Sequence, residues 1–175
     1  MKLKSRQHHR GFTLIEVLVV ITIILLLAGL SLGGLRFVKT KRDNNRAEIH
    51  INLISKAIED YKLDNGDYPG DEDAGGGDGK GESNMLFQAL YYDGFMAENP
   101  DAIYLSELDP NNDSQKWLEG TGASTKIIDP WKREYLYRRG SGAMNPDYDL
   151  WSMGEDGATS GNGTSPEDKD DIRNF

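Results

Sequence analysis

Two places in this 175-residue chain gather side chains able to do chemistry, and both use carboxylates. The first is Glu16, which stands at the mouth of an uncharged run, Val17–Leu35 (VLVVITIILLLAGLSLGGL). A carboxylate at mid-helix in a bilayer costs about 2.5–3.5 kcal/mol on insertion scales, less near the interface, so an acid there is a functional candidate by default. A cut after Gly11 would give Phe12 a new α-ammonium four residues before Glu16. Pairing of that amine with the carboxylate, within one helix or between neighbouring subunits, would offset much of the desolvation cost each bears alone. The second place is Ser152–Phe175 (SMGEDGATSGNGTSPEDKDDIRNF), where Asp156, Asp168, Asp170 and Asp171 sit on glycine-punctuated backbone. Ca²⁺ takes about six to eight oxygen donors, carboxylates mixed with carbonyls. On chemistry alone a calcium site and a solvated acidic tail are equal readings of this stretch.

Composition excludes much else. There is no cysteine, hence no disulfide, thiolate zinc site or thiol nucleophile. His8 and His9 lie in a basic leader, which leaves His50 alone and rules out a histidine pair; beside the helix stripe described below it reads as a surface or boundary residue. Lys2, Lys4, Arg6 and Arg10 are the four charges of residues 1–11, so the remainder carries 16 basic and 29 acidic groups. Such an acidic body repels phosphate backbones, and nucleic-acid binding is not expected. Acid pairs suited to glycoside hydrolysis lie on glycine-rich loops where nothing sets their separation. No enzyme is expected.

The elements that position these groups follow from pattern. As a helix, Val17–Leu35 is about 28 Å long at roughly 1.5 Å per residue, close to a bilayer's hydrocarbon thickness. Basic residues precede it, which keeps residues 1–11 cytoplasmic and exports the rest. A cleaved secretory signal and a plain anchor are the other readings. Small residues from Ala28 to Gly34 leave the signal reading open, but helical periodicity continues beyond the run. Ala47, Ile51, Ile54, Ile58 and Tyr61 form an apolar stripe suited to packing on a small sheet, and Asn65-Gly66 ends the helix. Gly29, Gly33 and Gly34 are its weak points, or simply sites of close helix packing.

The junction Gly11-Phe12-Thr13-Leu14-Ile15-Glu16, with its basic leader and apolar run, resembles the N-terminal signal of type IV pilins and type II secretion pseudopilins. The resemblance implies removal of residues 1–11 by a prepilin peptidase, N-methylation of Phe12, and docking of Glu16 onto the N-terminus of an adjacent subunit. It further implies a single-pass inner-membrane protein with a periplasmic C-terminal domain. Subunits of that kind polymerise with themselves and with other pseudopilins, served by an assembly ATPase, an inner-membrane platform and an outer-membrane channel. Glu16 argues against the tip subunit, which in that family lacks the acid.

In the remainder, Gly70–Asn84 reads as a solvated loop; Asp71, Asp73 and Asp78 are oxygen donors there but match no calcium-loop spacing. Met85–Phe95 is predicted helical, while the patches Ile103–Leu108 and Trp117–Leu118 stay unassigned. Glu134–Arg138 and Asp147–Trp151 are predicted antiparallel strands joined by Gly140–Pro146, with Tyr135, Tyr137, Tyr148 and Trp151 as core. Asp129-Pro-Trp, Tyr148-Asp-Leu-Trp-Ser-Met-Gly-Glu-Asp156-Gly and Asp170-Asp-Ile-Arg-Asn-Phe175 are together similar to the major pseudopilin of type II secretion. That similarity implies a calcium loop over residues 152–171, with ligands at Asp156, Asp170 and Asp171 and the Met153 carbonyl, Asp168 being a substitute in a shifted register. Lys132 and Phe175 depart from the familiar glycine and tryptophan, and the 70–84 loop is an addition. A type IV pilus subunit, or an unpolymerised calcium-binding protein on an ordinary anchor, are the alternatives.

The expected architecture is α+β and pilin-like. One long N-terminal helix, half membrane and half amphipathic, packs on a small antiparallel sheet followed by a metal-binding loop. The expected divisions are a leader at 1–11, a filament-core helix at 12–36, an amphipathic continuation at 37–64 and a head at 65–175.

Overall fold

The computed structural model describes residues 12–70 and 83–175, with residues 30–36 described by backbone alone. The leader and nearly all of the 70–84 loop, including Asp71, Asp73 and Asp78, lie outside the described residues. Two compact units divide the chain, Met1–Lys39 and Thr40–Phe175.

Helix α1 spans Leu14–Asn65, 52 residues with no break at Gly29, Gly33 or Gly34. It stops where expected: Gly66 adopts φ 83° and its N–H bonds the Lys62 carbonyl, the left-handed closure that only glycine adopts without strain. In the first unit every large apolar side chain from Phe12 to Leu27 is exposed. Among the described residues no helix is long and apolar enough to cross a membrane. The predicted run Val17–Leu35 passes into residues 30–36, whose side chains lie outside the description.

In the second unit the stripe performs as its spacing predicts. Ala47, Ile51, Ile54, Ala57 and Ile58 are buried, and Tyr61 packs at the edge. Ile51, Ile54, Ala57 and Ile58 share one core with Leu86, Phe87 and Leu90, with Trp117, and with Tyr135, Tyr137, Tyr148 and Leu150. Leu86, Phe87 and Leu90 come from a helical stretch that begins at Ser83, two residues before the predicted start. It comprises α2 (Ser83–Phe87), a wider π-type turn at Gln88–Tyr92, and α3 (Asp93–Met96). Ser83 is buried at that start, donating to Glu134 and accepting the Ile127 N–H.

The strands are β1 (Leu118–Glu119), β2 (Lys126–Ile127), β3 (Leu136–Arg139), β4 (Tyr148–Ser152) and β5 (Ile172–Arg173). They form an antiparallel pair β1-β2 and an antiparallel sheet of order β3-β4-β5. The predicted hairpin is present, displaced toward the C-terminus by one or two residues, with Leu136 opposite Trp151 and Arg139 opposite Tyr148. Glu134 makes only an isolated bridge to Ile128. The turn closes on buried Asp149, which takes both Arg138 donors (2.8 and 2.6 Å) and the N–H groups of Met144 and Asn145.

One residue is placed differently from its sequence reading. His50 is 2 % exposed, not a surface residue. Its Nδ1 lies 3.1 Å from the Tyr135 hydroxyl and its ring is 4.5 Å from that of Trp117, because α1 turns this position into the aromatic layer. Burial, with the nearby Arg46 charge, pulls its pKa down to about 4, against weaker opposing effects of Gln115 and Asp113. The unfolded imidazole binds its proton near pH 6.5. The stability this neutral form contributes is therefore complete above that pH and falls as pH drops toward 4, by on the order of 3 kcal/mol. Chemical denaturation of wild type and His50→Gln at pH 7 and pH 4.5 should show a smaller loss in the variant; equal losses would contradict this reading.

Candidate functional site

At the amino terminus Thr13 starts α1. Its hydroxyl oxygen accepts the Glu16 N–H at 3.3 Å, and its carbonyl accepts the Glu16 and Val17 N–H groups. The Thr-x-x-Glu spacing is that of a capping box, and an acid in the first turn also suits the positive end of the helix dipole. Glu16 therefore has a local structural reason to be there, but its carboxylate is exposed among exposed apolar neighbours. Phe12 precedes the helix and is exposed as well. Gly11 lies outside the described residues. Six residues beyond Glu16, the Thr22 hydroxyl donates to the Leu18 carbonyl (2.8 Å), which removes a polar cost from the apolar run.

The acidic loop is pinned at its base. β5 returns to pair with β4, Trp151 opposite Arg173 and Ser152 opposite Ile172. Between them the predicted ends meet: the Asp156 N–H donates to Asp170 Oδ2 at 2.9 Å. Gly154, at φ 63°, lies so close to Asp170 that an added Cβ would sit 2.3 Å from its carbonyl oxygen. The Met153 carbonyl accepts the Gly157 N–H, and the exposed Asp156 carboxylate accepts the Ala158 N–H.

Asp168 and Asp171 differ in kind. Buried Asp168 accepts from the Ser160 N–H and hydroxyl (both 2.6 Å), the Thr159 hydroxyl and the Ser165 N–H. Its burial opposes ionisation, yet the bonds from Ser160, Ser165 and Thr159 outweigh it and hold the pKa down at about 2. Asp168 thus folds the loop upon itself, and its oxygens are engaged within the chain. Asp171 takes one bond, from Thr159 at 2.7 Å, while its Oδ1 is buried without a partner. Burial first, then repulsion from Asp168 and Asp170, push its pKa up to about 6, against the Thr159 bond and Arg173. Among the described residues no group of three or more acidic or histidine side chains is placed to hold a metal ion. Of the expected ligands, Asp170 meets the Asp156 N–H through a hydrogen bond, and Asp171 Oδ1 is buried without a partner.

Arg133 was not among the sequence candidates. Its guanidinium bonds the carbonyls of Gly154 (2.5 Å) and Glu155 (3.1 Å) and lies against Gly157. Asp129 of the Asp-Pro-Trp turn fixes it: Asp129 Oδ1 accepts the N–H groups of Trp131 and Arg133, and Oδ2 accepts the Ser152 hydroxyl at 2.6 Å. The only available signal was the conjunction of that tripeptide with an arginine four residues after its aspartate.

Comparison with known proteins matches both ends of the chain. The model of the prokaryotic N-terminal methylation motif matches residues 6–32, and that of type II secretion system protein G matches residues 101–174. The chain is 30 % identical to the type II secretion system core protein G of Escherichia coli K12, over 99 % of this chain and 95 % of that one. It is 29 % identical to the protein of the same name from Klebsiella pneumoniae, over 97 % and 96 %. For the one from Vibrio cholerae the figures are 28 %, 94 % and 93 %. No solved structure matches the chain significantly. With the methylation signal at one end and the protein G domain at the other, this chain belongs to the type II secretion system protein G family: it is a pseudopilin, a structural subunit of export machinery and not an enzyme.

Proposed function

We propose that this subunit is cut between Gly11 and Phe12 by a prepilin peptidase, methylated on Phe12, and held by one span in the inner membrane with its head in the periplasm. From there the Phe12–Leu35 helices of many copies stack into the core of a pseudopilus, driven by an assembly ATPase and an inner-membrane platform and working toward an outer-membrane channel. The observation that carries this reading is the first unit of α1, whose apolar side chains from Phe12 to Leu27 are exposed on every side. A helix apolar all round requires lipid or like helices about it. Glu16, exposed in that surface, pairs with the Phe12 amine of a neighbour and sets the axial step.

The acidic loop is proposed to take Ca²⁺, with Asp156, Asp170 and Asp171 and the Met153 carbonyl as donors. The buried, partnerless Asp171 Oδ1 supports this, because an uncompensated carboxylate oxygen away from water is costly. A bound ion would supply the positive charge that these acids lack and so stiffen the loop.

Two measurements test these readings. Glu16→Ala should reach the membrane and be processed like wild type, yet lose at least roughly tenfold of its sheared filament yield, since the interaction removed is one made only in the assembly. A wild-type yield would refute the pairing. For the loop, Ca²⁺ at about 100 times its Kd should raise the thermal midpoint of the detergent-solubilised full chain by on the order of 5–10 °C over chelator. Asp171→Asn should abolish that rise, and a wild-type melt indifferent to Ca²⁺ would dismiss the metal.

A further inference from the structure

Two carbonyls at the start of the acidic loop are already held by a cation. Arg133 donates to the Gly154 carbonyl at 2.5 Å and to the Glu155 carbonyl at 3.1 Å, an arrangement that suits the planar fork of a guanidinium. The arginine is itself fixed. Asp129, 1 % exposed, accepts the Arg133 N–H at 2.9 Å through Oδ1, and its own N–H donates to the Arg133 carbonyl at 2.7 Å. A second route runs from the same aspartate to the same place. The Ser152 hydroxyl donates to Asp129 Oδ2, and the Gly154 N–H donates to that hydroxyl oxygen at 3.2 Å. Gly154 is thus held by its N–H through Ser152 and by its carbonyl through Arg133.

This double hold governs what lies opposite. Gly154 packs on the carbonyl and carboxylate of Asp170 with no room for a Cβ between them, and Asp170 Oδ2 accepts the Asp156 N–H two residues on. Fixing Gly154 therefore fixes the approach of Asp170 to the Asp156 end of the loop. The clasp also sorts the carbonyls. A guanidinium on an oxygen repels a divalent cation from it, so the Gly154 and Glu155 oxygens are withdrawn from an ion. The Met153 carbonyl accepts the Gly157 N–H and, with two lone pairs, can serve an ion as well. Gly157, at φ 73°, lies so near the guanidinium that a Cβ there would overlap it.

We infer that Arg133 is the positioning residue of the acidic loop: it sets Gly154 against Asp170 and leaves Asp156, Asp170 and the Met153 carbonyl as oxygens presented to Ca²⁺. The inference rests on the calcium reading above and adds to it a residue from outside the loop. Arg133 touches no ion; it acts through the backbone of Gly154 and Glu155.

The probe is Ca²⁺ alone, titrated calorimetrically into the detergent-solubilised full chain after chelator treatment. Arg133→Ala should raise the Kd roughly 10–100-fold, the range for losing a residue that orients metal ligands. Arg133→Lys should fall between, because an ammonium does not fork to both carbonyls. Gly157→Ala should raise the Kd by displacing the guanidinium, and by a much smaller factor once Arg133 is already alanine, a coupling that a double-mutant cycle measures. A merely structural arginine would lower the melting temperature in chelator and leave the Kd where it was. That result would overturn the positioning role while the calcium reading stood, and so would additive effects of the two substitutions. If Arg133→Ala does not fold, Arg133→Lys decides alone, and a wild-type Kd in it counts against the role. A wild-type chain that takes up no Ca²⁺ would instead bring down the calcium reading, and this inference with it.

Discussion

One helix serving two surroundings is the constraint on which this molecule turns. Past Thr40 the apolar side of α1 is a stripe, and the chain covers it unaided: Ile51, Ile54, Ala57 and Ile58 disappear beneath aromatic side chains of the sheet and of α2. From Phe12 to Leu27 the large apolar side chains are exposed all the way round. At about 25 cal/mol per Å² of apolar area removed from water, the uncovered part is a large store of association free energy, and the covered part has already been spent on folding. The head therefore holds together through its own core.

The head manages its many acids by making them close turns. Asp149 gathers Arg138 and two backbone donors beneath the β3–β4 connection, Asp129 ties Trp131, Arg133 and Ser152, and Asp168 ties Ser160 to Ser165. Arg139 does the converse, clasping Asp67 while donating to the carbonyls of Tyr68 and Gly70. A buried charge stripped of its partners would be strongly destabilising, so these networks fix a unique set of loop paths as much as they add stability. Asp171 stands apart because one of its oxygens has no such assignment.

Much of this was legible in the chain itself, and what was not has a physical reason. The helix stripe, its glycine stop, the two aromatic strands and the acid at Glu16 are each written in local spacing. Lys132 read as a departure where glycine is familiar; its φ of 70° shows why glycine suits the position and that lysine bears the strain. His50 misled because a lone polar residue beside a stripe reads as boundary, while its burial depends on Trp117 and Tyr135, 67 and 85 positions away. Strand β5 and the Arg133 clasp were invisible for the same reason: two residues of strand carry no period, and a guanidinium reaching carbonyls some 21 positions on leaves no local mark.

The pairing of β5 with β4 has an evolutionary consequence. Because Trp151 and Ser152 are latched to Arg173 and Ile172, the excursion between them is a cassette hung from a fixed frame. Doubling the length of a flexible loop costs only about 0.6 kcal/mol in closure entropy. The length of this excursion can thus change while the paired strands beneath it stay the same.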